Sequence, residues 1–209
     1  NQIFGAKLNL SSMLFNRDKG PFGLASVESA SVFPGFCASH DKDIFREIDD
    51  LEWVGSQKQV FLLGNRALCR ERYAKINTAE AFLPSAREFS GAFAKDYLNG
   101  YQEGNELGLQ ELVETKRDAD KMLLFEKWRH VRSGVVSLGR DFPIRVGGNI
   151  CPEFDFDGKQ CYDLSNYNVR AENLSICTHT TESDVVAVFT WFVDSKILTR
   201  FVDSFLRLP

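Results

Sequence analysis

The sequence predicts an α+β fold, in which a helix-rich first two-thirds is followed by a small antiparallel sheet and a C-terminal helix. Apolar residues recur with helical spacing over residues 56–139, whereas short strand-like stretches separated by turn residues follow from residue 141 onward. The apolar residues between 197 and 205 return to helical spacing. Helices and strands that are segregated along the chain in this way are typical of α+β proteins.

This organisation divides the chain into three regions. A short N-terminal segment and a first helix are expected in residues 1–55, a helical region in residues 56–140, and the antiparallel sheet with the C-terminal helix in residues 141–209. We expect the second and third regions to form one compact unit.

The first helix is predicted to begin at Ser39-His40-Asp41. Serine and aspartate side chains accept hydrogen bonds from first-turn amides that have no partner within the helix. Ile44, Phe45 and Ile48 follow at the spacing of one buried helix face. A turn signal, Asn-Arg-Asp-Lys-Gly-Pro at 16–21, precedes this helix.

Residues 56–139 are predicted to be mainly helical. The apolar run Val60–Leu63 indicates a deeply buried helix, and Pro84-Ser85 and Gly100–Gly108 are expected to interrupt the pattern. A long helix then follows from Leu109. Its charged residues are predicted to form a solvated face of mixed sign, comprising Glu111, Glu114, Lys116, Arg117, Asp118, Asp120 and Lys121.

From residue 141 the pattern indicates strands. Phe142–Val146 is strand-like, Gly147–Asn149 is a predicted turn, and Asp157-Gly158 is the dipeptide most typical of a two-residue hairpin turn. Leu174–Cys177 and Val185–Phe192 are two further predicted strands, ahead of the C-terminal helix.

The last of these strands is expected to be central in the sheet. Alternation places two sets of side chains on opposite faces, Val186, Val188 and Thr190 on one and Ala187, Phe189 and Trp191 on the other. Because both sets are largely apolar, we expect both faces of this strand to be covered.

The composition is that of an ordinary soluble globular protein. Of the 209 residues, 44% are apolar and 26% are charged, and a chain of this length can bury a core without a metal or a disulfide. The net charge of −4 argues against broad, non-specific coating of nucleic acid, although it leaves room for a local basic patch. No run of 18 apolar residues occurs, so no membrane association is expected.

Cysteine usage predicts a cytoplasmic protein with reduced thiols. Five widely spaced cysteines in a chain of ordinary composition do not form a disulfide framework. Cys69 and Cys177 lie in apolar segments and are expected to be small buried hydrophobes, whereas Cys151 and Cys161 flank the predicted hairpin. The chain begins at Asn1 without a signal-peptide pattern, and we expect either upstream residues or a processed start.

Several familiar catalytic motifs are absent from the sequence. It contains no phosphate-binding loop, no Gly-x-Ser-x-Gly elbow and no His-Glu-x-x-His helix. The acidic stretch Glu153–Gly158 resembles the start of a calcium loop, but Leu164 stands where the terminal carboxylate is required. We therefore expect a hairpin turn with solvated acids there.

One pair of residues has metal-ligand spacing. Cys37 and His40 lie three apart at the predicted helix start, where a thiolate and an imidazole can bind one ion and the helix N-terminus favours the thiolate charge. The residues alone leave open a second interpretation, a capped helix with a buried Cys37. His130 and His179 have no cysteine or histidine partner at ligand spacing.

The sequence around this pair resembles a widespread uncharacterised bacterial family marked by the motif Gly-Phe-Cys-x-x-His-Asp-x-x-x-Phe. Here the motif runs from Gly35 to Phe45, and the resemblance continues through Phe61–Ala67 and, more loosely, through residues 185–205. In that family an upstream segment carries a Cys-x-x-Cys pair and a Ser-His-x-Ile stretch, which together resemble a treble-clef zinc knuckle of His-Asn-His nucleases. The 209 residues contain neither of these upstream elements.

The resemblance implies a zinc ion for which Cys37 and His40 are the second ligand pair. Residues 1–55 would then be the remnant of the knuckle with the first helix. Asp41 would cap that helix or accept a hydrogen bond from His40 and so orient the ring.

Three functions are compatible with these features. The resemblance implies a nuclease-like protein that acts on nucleic acid in defence against mobile elements. Such a protein would hydrolyse phosphodiesters with the help of a metal ion. A second possibility is a non-catalytic interaction module, in which zinc fixes the N-terminal segment onto the helices and the partner is another protein. A third is a small-molecule enzyme with a pocket between the helical part and the sheet.

Overall fold

The computed structural model describes most of the chain. The described residues are 2–6, 22–26, 35–84, 95–166 and 168–208, with backbone alone at 2–6, 22–26, 81, 82 and 95. The predicted turn at 16–21 and the predicted helix break at Ser85 lie outside these ranges.

The described residues form four α-helices and six strands. In chain order they are β1 (Gln2–Ala6), β2 (Phe22–Ser26), α1 (Ala38–Asp49), α2 (Gln57–Asn77), α3 (Lys95–Leu124), β3 (Val131–Ser137), β4 (Gly147–Ile150), β5 (Leu174–Thr180), β6 (Val185–Phe192) and α4 (Lys196–Leu206). A π-helical turn, Thr78–Phe82, continues α2, and a 3-10 turn, Trp128–His130, precedes β3. Within these ranges, no helix has both the length and the apolar character needed to cross a bilayer.

The sheet topology confirms the predicted α+β class. β1 pairs with β2 as a separate antiparallel ribbon, and the main sheet has the order β3-β6-β5-β4 with antiparallel neighbours throughout. Three helices precede this sheet in the chain, and α4 follows it.

Helix α1 begins slightly earlier than predicted. Its first residue is Ala38, and Cys37 occupies the N-cap position in extended conformation without a side-chain capping bond. The predicted caps Ser39 and Asp41 lie inside the first turn. Phe45 and Ile48 are buried, as the spacing predicts.

Helix α2 has a capping box at its start. The Oγ of Ser56 accepts a hydrogen bond from the backbone N of Gln59, whose side chain accepts one from the Ser56 backbone. The helix then packs against the sheet at Gly64, where an added Cβ would lie 3.0 Å from Cγ2 of Thr190. The absence of a side chain at Gly64 therefore lets α2 lie directly on β6.

Helix α3 is continuous, so the predicted break at Gly100–Gly108 is wrong. Its 30 residues include Gly100, Gly104 and Gly108. An added Cβ at Gly108 would lie 3.0 Å from Nζ of Lys75, and the amide of buried Asn105 donates to the carbonyl of Lys75 at 3.0 Å. Close packing against α2 thus stabilises a stretch whose local propensity is poor.

Two further boundaries differ from prediction. The helical region ends at Leu124, and Val131–Ser137, expected to be helical, is strand β3 because it pairs along its whole length with β6. Strand β4 occupies Gly147–Ile150, where a turn was predicted, and Phe142–Val146 is not a strand. Arg70 of α2 donates to the Gly147 carbonyl at 2.9 Å and holds β4 against the helix layer.

A hairpin forms at Asp157-Gly158 as predicted, but its loop is longer than the two-residue turn that the dipeptide indicates. Gly158 has φ +79° and its amide donates to the carbonyl of Asp155 at 3.0 Å, while the amide of Asp155 donates to the carbonyl of Lys159 at 2.9 Å, so the loop comprises residues 156–158. The flanking chains meet in a single bridge between Phe154 and Gln160, so this hairpin lies outside the main sheet.

Strand β6 is central and covered on both faces, as predicted. On one face Val186 and Val188 join the apolar side chains of α1, α2 and α3. On the other face Ala187, Phe189 and Trp191 pack with α4 and with residues 161–174. The fold therefore has three layers, with the sheet between three helices and α4.

An ion pair between a buried aspartate and a half-buried arginine links the hairpin to α4. Asp155 is 6% exposed, and its Oδ2 lies 2.7 Å from Nε of Arg200. Burial opposes ionisation of this carboxyl, but hydrogen bonds from the backbone of Lys159 and from Arg200 prevail and hold the pKa of Asp155 below its usual range.

This ion pair predicts a loss of stability in acid. Because the pKa of Asp155 is lower in the folded state, its contribution is present above the unfolded pKa of about 4 and is lost as pH falls through the folded value. We expect Asp155→Asn to lower the urea midpoint at pH 7 and to reduce its fall between pH 5 and pH 2. If the urea midpoint of Asp155→Asn depended on pH as that of the wild-type protein does, this role of Asp155 would be contradicted. The control is Asp157→Asn, which changes an exposed aspartate of the same hairpin.

Candidate functional site

The predicted metal-ligand pair comes together at the start of α1. The Sγ of Cys37 lies 3.1 Å from Nδ1 of His40, and both residues are exposed. Cys37 takes its extended N-cap conformation at φ −73° and ψ 156°, which turns its side chain toward the first helical turn. A thiol and an imidazole therefore converge at one point on the surface.

The helix that carries this pair is firmly anchored. Phe45 is fully buried, and Phe36 packs against it edge to face with ring centroids 5.2 Å apart. The guanidinium of Arg66 lies 4.1 Å from the Phe45 ring centroid and binds both carboxylate oxygens of Asp49, at 2.7 and 2.5 Å. The positions of Cys37 and His40 are thus fixed by contacts between α1 and α2.

The donor set fits half of a zinc site. Tetrahedral zinc, at about 2.3 Å from sulfur and about 2.0 Å from nitrogen, separates two such donors by about 3.5 Å. The observed separation of 3.1 Å is close to this value, so a small side-chain rotation lets both atoms bind one ion. Among the described residues, no group of three or more potential ligand side chains is placed to hold a metal.

Asp41 has neither of its expected contacts in the described structure. Cys37 occupies the N-cap position, and the contact that orients the His40 ring is made by the Cys37 thiol. Asp41 lies in the first turn of α1, where a carboxylate interacts favourably with the helix dipole.

The other cysteines differ from Cys37 in burial. All five are free, and of these Cys37 alone is exposed. Burial raises the pKa of Cys69 and of Cys151 to about 11, and that of Cys177 to about 12. The prediction that Cys69 and Cys177 are buried hydrophobes is confirmed, and these thiols keep their protons near neutral pH.

The remaining histidines lie in other parts of the fold. His179, on β5, packs against Trp53 with ring centroids 4.7 Å apart, and burial lowers its pKa, so the ring is neutral near pH 7. His130 ends the 3-10 turn before β3 and is exposed. Neither belongs to a metal-binding group within the described residues.

A cleft of about 730 Å³ lies between the end of α3, residues 161–173 and the start of α4. Its floor contains a carboxylate, Glu172, that accepts hydrogen bonds from the hydroxyls of Tyr162, at 2.8 Å, and Ser195. Burial and the bond to Glu172 raise the pKa of Tyr162, so this hydroxyl remains a donor. Because Ser195 also caps α4, this cluster fastens residues 161–173 to the helix.

A groove of about 510 Å³ on the outer surface of α2 and α3 is lined mainly by basic residues. Its lining residues are Arg72, Val113, Lys116, Arg117, Asp120, Lys121 and Leu124. Four of these seven residues are basic and one is acidic, in a chain whose net charge is −4. The sequence predicts a solvated face of mixed sign on α3, and it contains no signal that brings Arg72 of α2 beside that face.

Comparisons with known proteins give no match. No family model, no curated protein and no solved structure matches this sequence.

The assignment of a function therefore depends on the chemistry of the surface. Two features there combine exposure with defined geometry or charge, the Cys37–His40 pair and the basic groove. The resemblance to a zinc-knuckle family stays a prediction from the motif between Gly35 and Phe45.

Proposed function

We propose that Cys37 and His40 are two ligands of a structural zinc in a zinc-knuckle protein that acts on nucleic acid. The observation that carries this proposal is the convergence of Sγ of Cys37 and Nδ1 of His40, 3.1 Å apart on an anchored helix. Zinc takes this combination of thiolate and imidazole in structural sites, where four protein ligands close the coordination sphere.

The remaining ligands come from outside the described residues. The family resemblance supports an upstream Cys-x-x-Cys pair as their source. A zinc bound there joins that upstream segment to the start of α1 and hence, through Phe45, to the core. The metal supplies a cross-link whose binding energy adds to the stability of the folded state.

Nucleic acid is the proposed target, supported by the nuclease-like resemblance and by the basic groove. A nuclease requires a histidine that activates water, and within this proposal His40 serves as a zinc ligand. Any catalytic histidine is then assigned to the upstream Ser-His stretch that the resemblance implies.

The alternative is a non-catalytic, zinc-stabilised protein-interaction module. It is favoured by the positions of His130 and His179, neither of which joins the Cys37–His40 pair within the described part of the chain. Nuclease assays on the metal-loaded protein separate the two functions, since the module binds without cleaving.

Elemental analysis of the protein expressed from its natural reading frame tests the zinc site. We expect about one zinc per chain, retained through gel filtration, and loss of that zinc in Cys37→Ser and His40→Ala, since a hydroxyl or a methyl group does not replace these donors. The isolated 209-residue chain is expected to hold zinc weakly, because it supplies two ligands, and to remain folded after chelation.

Two controls match these variants. Cys151→Ser and His130→Ala remove the same side-chain types away from the pair and should leave the zinc content unchanged. Bound zinc should also protect Cys37, the exposed cysteine, from iodoacetamide. A folded natural protein without zinc, or one whose zinc survives Cys37→Ser, would overturn the proposal.

A further inference from the structure

The basic groove is formed by two helices that are distant in sequence. Arg72 comes from α2, whereas Lys116, Arg117 and Lys121 come from α3. The contact of α2 with α3, which includes the hydrogen bond from Asn105 to Lys75, places these cations around one depression. The cluster is therefore a product of the tertiary fold.

Two of the four cations are weakly neutralised. Nζ of Lys116 pairs with Asp120, and Nζ of Lys121 lies 3.1 Å from Oδ1 of Asp118. Both acidic partners have side chains more than 40% exposed. Ion pairs to exposed carboxylates are screened by water and contribute little to stability, so a polyanion competes for these lysines at low cost.

The two arginines carry the excess charge. Arg72 and Arg117 form no ion pair with any residue that the structure describes. Guanidinium groups bind two phosphate oxygens at once, and for this reason arginine is common where proteins recognise phosphate. The groove thus presents unpaired donors that suit phosphate oxygens.

Beside the groove, the end of α3 exposes two apolar side chains: Leu124, which lines the groove, and Phe125, whose ring centroid lies 5.6 Å from Nζ of Lys127. Leu124 is 75% exposed and the adjacent Phe125 is 61% exposed. The backbone N of Phe125 donates to the carbonyl of Lys121, so Phe125 lies one helical turn beyond that lysine. An exposed aromatic ring beside basic residues is typical of sites where the bases of single-stranded nucleic acid stack.

We propose that this groove binds single-stranded nucleic acid, with backbone phosphates on Arg72, Arg117 and Lys121 and a base stacked on Phe125. The net charge of −4 on the whole chain confines such binding to the groove and its rim. This inference deepens the proposed function. It rests on that proposal in one respect, the choice of nucleic acid as the polyanion that the groove binds. Zinc retention is measured separately, so either proposal can fail alone.

Fluorescence anisotropy with the full chain and a labelled 12-nucleotide single strand, as DNA and as RNA, tests this site. We expect the double variant Arg72→Gln/Arg117→Gln to weaken binding at least about tenfold and to reduce the slope of log K against log salt by about 1.4, since each lost phosphate contact accounts for about 0.7. Phe125→Ala should weaken binding about tenfold without changing that slope.

A charge-matched control uses exposed basic residues elsewhere. Arg132→Gln/Lys159→Gln removes the same charge from β3 and the hairpin and should change affinity less than threefold. Equal losses in both double variants, or no detectable binding by the folded chain, would overturn the proposal. Equally tight binding of a duplex, together with insensitivity to Phe125→Ala, would overturn the single-stranded assignment.

Discussion

Replacing Trp191 with alanine is expected to lower the free energy of unfolding by about 3–5 kcal/mol. Trp191 lies on the central strand β6, is 6% exposed and packs with α4. Its Nε1 also donates to Oγ1 of Thr199 at 2.9 Å, and truncation leaves that hydroxyl without the bond. Urea denaturation followed by circular dichroism measures the change.

A matched control is available on the neighbouring strand. Val135 pairs with Val188 in the β3–β6 register but is 47% exposed, so Val135→Ala should cost less than about 1 kcal/mol. If Trp191→Ala lowered the free energy of unfolding as little as Val135→Ala does, α4 would not cover this face of β6.

Phe45→Ala is expected to have a comparable effect, about 3–5 kcal/mol. Its ring is fully buried between Phe36 and the guanidinium of Arg66, and it fixes α1 on the helix layer. Because α1 carries Cys37 and His40, we also expect this variant to lose zinc faster in the presence of a chelator. Urea denaturation and the rate of zinc release measure the two effects.

Phe125→Ala removes an equal side chain from an exposed position and should change the free energy of unfolding by less than about 0.5 kcal/mol. If Phe45→Ala changed the free energy of unfolding as little as Phe125→Ala, the inference that Phe45 anchors α1 would be wrong. If stability fell while zinc release stayed unchanged, the proposed link between α1 and the metal would be contradicted.

Parts of the fold with strong short-range signals could be predicted from the sequence. The Asp157-Gly158 turn depends on local backbone preferences, and Val185–Phe192 is apolar on both faces because it is central. The buried stretch Val60–Leu63 belongs to α2 as expected.

Elements stabilised by distant contacts could not be predicted in this way. The glycines from Gly100 to Gly108 indicate a break locally, but packing on Lys75 keeps α3 continuous. Val131 continues a helical stripe in the sequence, yet Val131–Ser137 is a strand because each residue pairs with one of β6 that lies 49 to 61 positions away.

The same distinction applies to the functional surface. Cys37 and His40 are three residues apart at a helix start, so their convergence follows from local geometry. Arg72 and Arg117 line the same basic groove, but no local pattern in α2 or α3 predicts that these two residues lie close together. The basic groove therefore arises from the packing of α2 on α3, and the charge pattern of one helix face does not predict it.

X-ray absorption at the zinc edge of the natural protein tests the central claim most directly. We predict four ligands in the wild-type protein, with sulfur at about 2.3 Å and nitrogen at about 2.0 Å from the zinc. We predict no zinc signal in Cys37→Ser or in His40→Ala, because each variant loses the metal. A zinc site whose sulfur and nitrogen shells are identical in the wild-type protein and in both variants would contradict the account.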